Sequence, residues 1–439
     1  MALWERRRRN TWVAFITGLV VLLLLPVSSV VAWRAVRDSR AAQGVVSLPV
    51  RTVPTTPTSI FAVVDERDRL SALSVLAIDT DGAGGSVMII PVQVAIAGTP
   101  EGEPRSLSQV YTEEGGEGLQ RAVQNMTNSQ IDLLSVTNVD DTGALIARAG
   151  TVDVNFLENV TDSEQEVISL IAAKGKNSFS PIEAAAVLAA LNVDIEDQQR
   201  TPAIRTLWDG IATAVGEGKL GATPVPVVAD VGAQVPVDMM SFMSAMFSGP
   251  MTVWQIAATP IDSFDDNPEG LDIYEYDAGE VIMVMASMAP SSMVAVFPTL
   301  NVHFDSPYPD LEVSRQASLR LLYMATNVML VRQITDTPPP VTIVRYSDEM
   351  DKTLAESLSL MLGELVFERA TEGVEGVDIQ IILGDSFLEF LKTGAKPDPN
   401  IDPQDLLTTT APATTAASSG ATTTTASGVT PTSSGSVAP

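Results

Sequence analysis

The sequence predicts an α/β protein built from layered sheets and helices. Runs of β-branched and aliphatic residues of strand length alternate with helix-period stretches through the body of the chain. Glycine and proline turns punctuate those runs. At 439 residues the chain is long enough for two ordinary domains plus extensions.

The first domain opens with "SIFAVV" and "LSVLAID", then the turn "TDGAGG" and the run "SVMIIPVQVAI". A glycine-rich turn between two such runs predicts a hairpin. The stretch "SQVYTEEGGEGLQRAVQNMT" leads through a glycine pair into a helix over 118–125, with Leu119, Ala122 and Val123 on one face. Next come a strand "IDLLSVTNV", a helix over "DTGALIARAG" and a short strand "TVDVNF". Pro181 opens the helix "PIEAAAVLAAL", where a missing N–H costs nothing. Another helix spans roughly 202–215. The methionines of "VDMMSFMSAMF" read as adaptable core. The acidic loop "DSFDDNPEGLDIYEYD" fits no ordered metal-loop spacing and reads as solvated. A second α/β module of about 100 residues follows. It runs strand "TLNVHF", helix "SRQASLRLLYMATNVML", strand "PVTIVRY", helix "MDKTLAESLSLMLGELV" and strand "GVDIQIILG".

The two ends differ from this body. Arg6 to Arg9 precede an uncharged run from Asn10 to Trp33, flanked by Trp12 and Trp33. Its length suits a bilayer span, and the denser basic cluster before it keeps the N-terminus inside. Small residues near Ala32 are compatible with a cleaved signal peptide, but the length of the run favours an uncleaved anchor. The expected organisation is a basic cytoplasmic tail (1–10), a transmembrane helix (11–33) and a linker (34–57). Folded domains at 58–290 and 296–394 come next, then a disordered Thr/Ser/Ala/Pro-rich tail (395–439). That tail lacks the apolar surface to offset its ordering entropy.

Composition excludes several chemistries. The chain has no cysteine, so neither disulfides nor thiolate metal sites can form. Its single histidine, His303, excludes multi-histidine metal centres and reads as an ordinary residue rather than a catalytic one. A formal charge of −28 argues against nucleic-acid binding, which needs clustered Lys and Arg.

The stretch from Arg105 to Phe156 resembles the central part of the LytR–CpsA–Psr (LCP) family of cell-envelope proteins. Arg105, Ser108 and Tyr111 fall on a K-x-N-x-A-Y-like segment, Gly115 and Gly116 on its glycine pair, and Gly150, Val152 and Asp153 on a later G-G-V-D-V element. The segment "VDIQIILGDSF" resembles the close of the LytR C-terminal domain attached to actinobacterial members. The resemblance covers roughly residues 58 to 392. It implies a three-layer α/β/α LCP-like domain followed by a small α/β C-terminal domain. It also implies an apolar cleft for a polyprenyl chain, arginines on the pyrophosphate and a carboxylate-bound Mg²⁺. The implied reaction transfers a lipid-linked glycopolymer to peptidoglycan.

The residues that fall on this pattern are Arg69, Arg105, Arg200, Arg205 and Tyr111 for the pyrophosphate, and Asp65 for the metal. Several family features are absent. Ser71 stands where the metal-binding Asp belongs, "IIPVQVAI" lacks a Pro-Arg-Asp ending, and Asn192 and Asp194 replace an R-x-R pair. Bland readings stand beside these: Arg105 as a surface charge, Tyr111 as a packing residue, Glu113 and Glu114 as solvated carboxylates. The expectation is a catalytically degenerate member that binds polyprenyl-linked precursors or scaffolds wall assembly. An active phosphotransferase and an unrelated extracytoplasmic interaction module remain alternatives.

Overall fold

The strand that the first sheet is built around, Leu70–Ile78 (β2), has every one of its nine residues buried. A strand covered on both faces reads as a continuous apolar run rather than an alternating one. A computed structural model describes residues 48–96, 104–164, 167–263 and 267–393. The expected transmembrane helix (11–33) and the tail (395–439) lie outside the described residues, as does the linker up to residue 47. Among the described residues no helix is long and apolar enough to cross a membrane.

β2 pairs antiparallel with Thr58–Val64 (β1) on one side and with Gly85–Ile90 (β3) on the other. Leu133–Thr137 (β4) adds parallel to β1, and Met251–Gln255 (β9) adds parallel to β3, giving the order β9-β3-β2-β1-β4. The hairpin read from "TDGAGG" is the β2–β3 turn. Alternation along β1 divides the core. Ile60 and Ala62 join Leu119 and Val123 of the helix Leu107–Thr127 (α1). Phe61 and Val63 face the other way, toward Val139–Ile146 (α2), Pro181–Ala189 (α3), Asp197–Val215 (α4) and Met239–Met246 (α5). There Phe61 meets Trp208 edge-on, with ring centroids 6.0 Å apart. Met243 and Met246 are buried in the same cluster, as core methionines.

The second sheet has the order β11-β10-β14-β12-β13, from Asn301–Ser306 (β10), Asn327–Gln333 (β11), Thr342–Tyr346 (β12), Leu365–Arg369 (β13) and Ile379–Ile382 (β14). Val302, Phe304, Val344 and Ile381 belong to the same apolar cluster as Ile60 and Leu119. The helices Ala278–Met288 (α6) and Leu311–Tyr323 (α7) contribute Val281, Met285, Ala317 and Leu321 to it. One core therefore runs through both sheets.

Two expected helices are each a helix followed by a strand. "SRQASLRLLYMATNVML" ends at Tyr323, and Ala325 adopts φ +52°, so the chain turns and the rest becomes β11. "MDKTLAESLSLMLGELV" breaks at Gly363, whose φ of +79° stops the helical run before β13. Short apolar runs are ambiguous in period, and the positive-φ residue decides. Three strands between Phe156 and Pro181 had no reading in the sequence. They are Val160–Glu164 (β6), Val167–Ala172 (β7) and Gly175–Phe179 (β8), with β8 pairing antiparallel to Val152–Phe156 (β5).

The glycine pair also differs from expectation. Helix α1 begins at Leu107, capped by a reciprocal Ser106–Gln109 box, and runs through Tyr111 and both glutamates. Gly115 interrupts it with φ +67° and ψ −161°, a region essentially restricted to glycine. The pair is thus a kink inside a helix rather than a turn before one. A Cβ on Gly115 would meet nothing within 4 Å, whereas one on Gly116 would meet Leu134 Cδ2 at 3.1 Å.

Gly115→Ala is therefore expected to cost about 1–3 kcal/mol from backbone conformation alone. Gly116→Ala should cost less than about 1 kcal/mol, because only the tip of a flexible side chain must move. Urea denaturation of both variants checks this, and the reverse order would refute the kink.

Candidate functional site

The register of the β1–β2 hairpin jumps from Val63↔Ala72 to Val64↔Leu70, leaving Ser71 as an extra, bulged residue. Its hydroxyl donates to the Val63 carbonyl at 2.9 Å, and the side chain is fully buried. A bulge frees a backbone carbonyl from the ladder, and that group needs another donor. The Ser71 carbonyl receives one from the Arg200 guanidinium of α4. Arg200 also pairs with Asp197, one turn earlier on the same helix, at 2.6 Å. Both residues are buried. The network continues, with the Asp197 N–H donating to Asp272 Oδ2 at 3.0 Å and the Tyr274 hydroxyl donating to Asp272 Oδ1.

The hairpin turn uses its charges in the same way. Asp65 Oδ1 accepts the Arg67 and Arg69 backbone N–H groups at 2.9 and 2.8 Å. Asp65 Oδ2 accepts Arg69 Nε at 2.7 Å and lies 2.6 Å from Nη2. Both carboxylate oxygens are thus engaged by the residue's own turn. Asp68 adopts φ +59° in this turn and accepts the Tyr111 hydroxyl at 2.7 Å. Tyr111 is therefore a packing residue with a hydrogen-bonded tip. Burial, then the Asp68 carboxylate, pushes its phenol up to about 12.

Arg69 and Arg200 line one cleft of about 250 Å³, together with Gln93, Asn192, Asp197 and Asp272. Gln93 and Asp272 also line a neighbouring space of about 310 Å³ with Glu113. Arg105 and Arg205 do not line the cleft. Arg105 holds Glu113 and Glu114 at 2.6 and 3.0 Å across the kinked helix, where surface ion pairs contribute little. Arg205 lies on α4 beside Asp209, in a different groove with Trp254 and Arg315. Asn192 is buried, with its Nδ2 on Thr161 Oγ1 at 2.9 Å.

The cleft wall therefore carries two guanidiniums and two carboxylates, with Asp65 behind Arg69, and offers no net positive charge to a pyrophosphate. Arg69 keeps an open donor: its side chain is about a third exposed, and its Nη1 has no partner among the described residues. A divalent cation does not fit, because Asp65 has no free oxygen. Among the described residues no three metal-capable side chains converge either. Asp197 and Asp272 are the site residues that sequence reading missed. The i,i+3 spacing in "DQQR" signals the first, and nothing local signals the second.

No protein-family model and no curated protein sequence matches this chain. Solved structures similar to it include TagV of B. subtilis, at 15% identity, covering 52% of this chain and 94% of that one with a TM-score of 0.38. TagT of B. subtilis is 11% identical, covers 52% and 88%, and has a TM-score of 0.36. The LytR-CPS2A-psr family protein YwtF (TagT) with bound octaprenyl pyrophosphate lipid is 12% identical, covers 52% and 88%, and has a TM-score of 0.34.

Arg200→Ala would strand Asp197 in the interior and free the Ser71 carbonyl. The expected loss is about 3–5 kcal/mol of stability, read from chemical denaturation. A loss below about 1 kcal/mol would mean that Arg200 is held for a ligand instead.

Tyr111, Tyr274 and Tyr308 are each buried and bonded to a carboxylate, Asp68, Asp272 and Asp385 respectively. Burial first, then the neighbouring carboxylate, raises all three phenols above the ordinary value of about 10. A raised folded-state value contributes stability that is complete below the unfolded value and is lost as pH climbs through the folded one. Thermal stability should thus fall from about pH 10 upward. Tyr111→Phe should flatten that fall between about 10 and 12, and an unchanged profile would contradict the assignment.

Proposed function

We propose that this chain is a membrane-anchored, extracytoplasmic cell-envelope protein of LCP type whose phosphotransfer machinery has degenerated. It binds a polyprenyl-linked wall precursor or scaffolds wall assembly, and does not transfer the glycopolymer. The carrying observation is that the cleft's charges satisfy one another. Arg200 is committed to Asp197 and the bulged Ser71 carbonyl, and Asp65 to Arg69 and its own turn.

Phosphoryl transfer spreads negative charge over equatorial oxygens, and cations must stabilise it. Each pyrophosphate-binding arginine absent from the family pattern removes about 1.5–3 kcal/mol of charge-assisted bonding. Recruiting Arg200 to a ligand would in addition leave Asp197 unpaired in the interior. An active phosphotransferase is the second reading, favoured by the open Nη1 of Arg69 in the same cleft as Arg200. The anchor, the extracytoplasmic location and the domain limits at 58–290 and 296–394 belong to this proposal and rest on the sequence pattern.

The test takes the full-length chain in nanodiscs with octaprenyl pyrophosphate, following binding and phosphate release with and without Mg²⁺. Binding without release is the expected outcome. Release that requires Mg²⁺ would establish the enzyme reading, with Arg69→Ala the first variant to make. Neither binding nor release would point instead to a protein-interaction module.

A further inference from the structure

Strands β6 and β7 form a two-stranded antiparallel ribbon of their own. The outer side of β6 is closed by the segment 191–193. The Ser163 N–H donates to the Leu191 carbonyl at 3.3 Å, and the Leu191 N–H donates to Asp162 Oδ1 at 2.9 Å. The Val193 N–H donates to Ser163 Oγ at 3.1 Å. The outer side of β7 has no strand beside it among the described residues.

β7 is also where large aliphatic side chains stand in water. Val167 is 64% exposed, Ile168 58% and Leu170 60%. Side chains alternate across a strand, so Val167 stands open on one face of β7 and Ile168 and Leu170 on the other, while Ile171 and Ala172 pack against the core. The run 167–173, "VISLIAA", holds no charge, glycine or proline in a chain of net charge −28. Exposed edges are ordinarily blunted by charge, proline or a bulge. β7 has a register shift between Leu170 and Ala172 at its far end, but neither charge nor proline along 167–170, and an apolar edge of that kind is a template for pairing.

We propose that β7 is a self-association edge that pairs antiparallel with β7 of a second copy of this chain. The twofold axis passes near Ser169, and the two ribbons form one four-stranded sheet. Charge order selects the partner and the direction. The sequence is acidic before the run, at Asp162 and Glu164, and basic after it, at Lys176 and at Lys174, which also holds Glu158 at 3.2 Å. Antiparallel pairing sets the lysine end of one copy against the acidic end of the other, while parallel pairing would set like against like. A bilayer is the poorer occupant, because the sequence just before the run is acidic, and carboxylates are costly at membrane depth. The inference is independent of the functional reading above.

The chain's lack of cysteine makes a direct test available. Twofold pairing at Ser169 brings the two Cα atoms within about 4.5–5.5 Å, a span that a disulfide bridges. Full-length Ser169→Cys in detergent should become a covalent dimer under mild oxidation. Adding Ile168→Glu should abolish that crosslink. Ile168→Glu alone should weaken self-association at least about tenfold by sedimentation equilibrium, without lowering the melting temperature. A chain that stays monomeric and uncrosslinked at every concentration would sink the proposal. So would a dimer that Ile168→Glu leaves unchanged, or a monomer whose vesicle binding is what Ile168→Glu removes.

Discussion

Burial of β2 on both faces is the constraint from which most of the first sheet and its helices follow. A strand with no exposed residue must be covered from above and below, so helices have to lie on both sides of the sheet. It must also satisfy every backbone group internally, since water cannot reach it. Strand pairing does this along most of the length. At the Ser71 bulge it cannot, and the Arg200 guanidinium takes over. The buried cation then requires Asp197, which in turn draws in Gln93, Asp272 and Tyr274.

This chain of obligations explains why the charges that line the cleft are matched within the fold. A guanidinium is equally suited to a phosphate and to a carboxylate plus carbonyl. Which role it plays depends on what else lies within reach. Here the competing carboxylates are covalently part of the fold, at fixed distance and effectively infinite local concentration. A free pyrophosphate would have to displace them and leave them unpaired in the interior. The same logic holds in the hairpin, where Asp65 grips two backbone N–H groups and the Arg69 side chain at once.

The second sheet repeats the pattern away from the cleft. Asp305 on β10 accepts from His303, from Arg332 at 2.8 and 3.1 Å, and from Gln380 at 2.6 Å. Burial alone would push its carboxyl up. The bonds from His303 and Arg332 outweigh that and hold it well below the usual carboxylate range. The lone histidine is thus part of a buried polar network. Arg200 and Arg332 are each placed where a buried carboxylate, Asp197 or Asp305, would otherwise be unsatisfied.

By itself the sequence determined the alternation of strands and helices, the first hairpin, the core role of the methionine-rich stretch and the exclusion of cysteine and multi-histidine chemistry. These depend on period, turn residues and inventory, all of which are local. It also raised the LCP resemblance, through the order of motifs from Arg105 to Asp153. Tertiary structure decided the rest. Whether "NVML" continues a helix or starts a strand turned on the φ of Ala325, which no propensity fixes. Gly115 became a kink within α1 because residues 107–114 were already helical. Arg69 and Arg200 came to share a cleft while Arg105 and Arg205 did not, and Asp272 reached Asp197 from 75 residues away. A side chain's role is set by the partners that folding brings within about 3 Å, and sequence spacing reports only those within a turn or two of helix or across one hairpin.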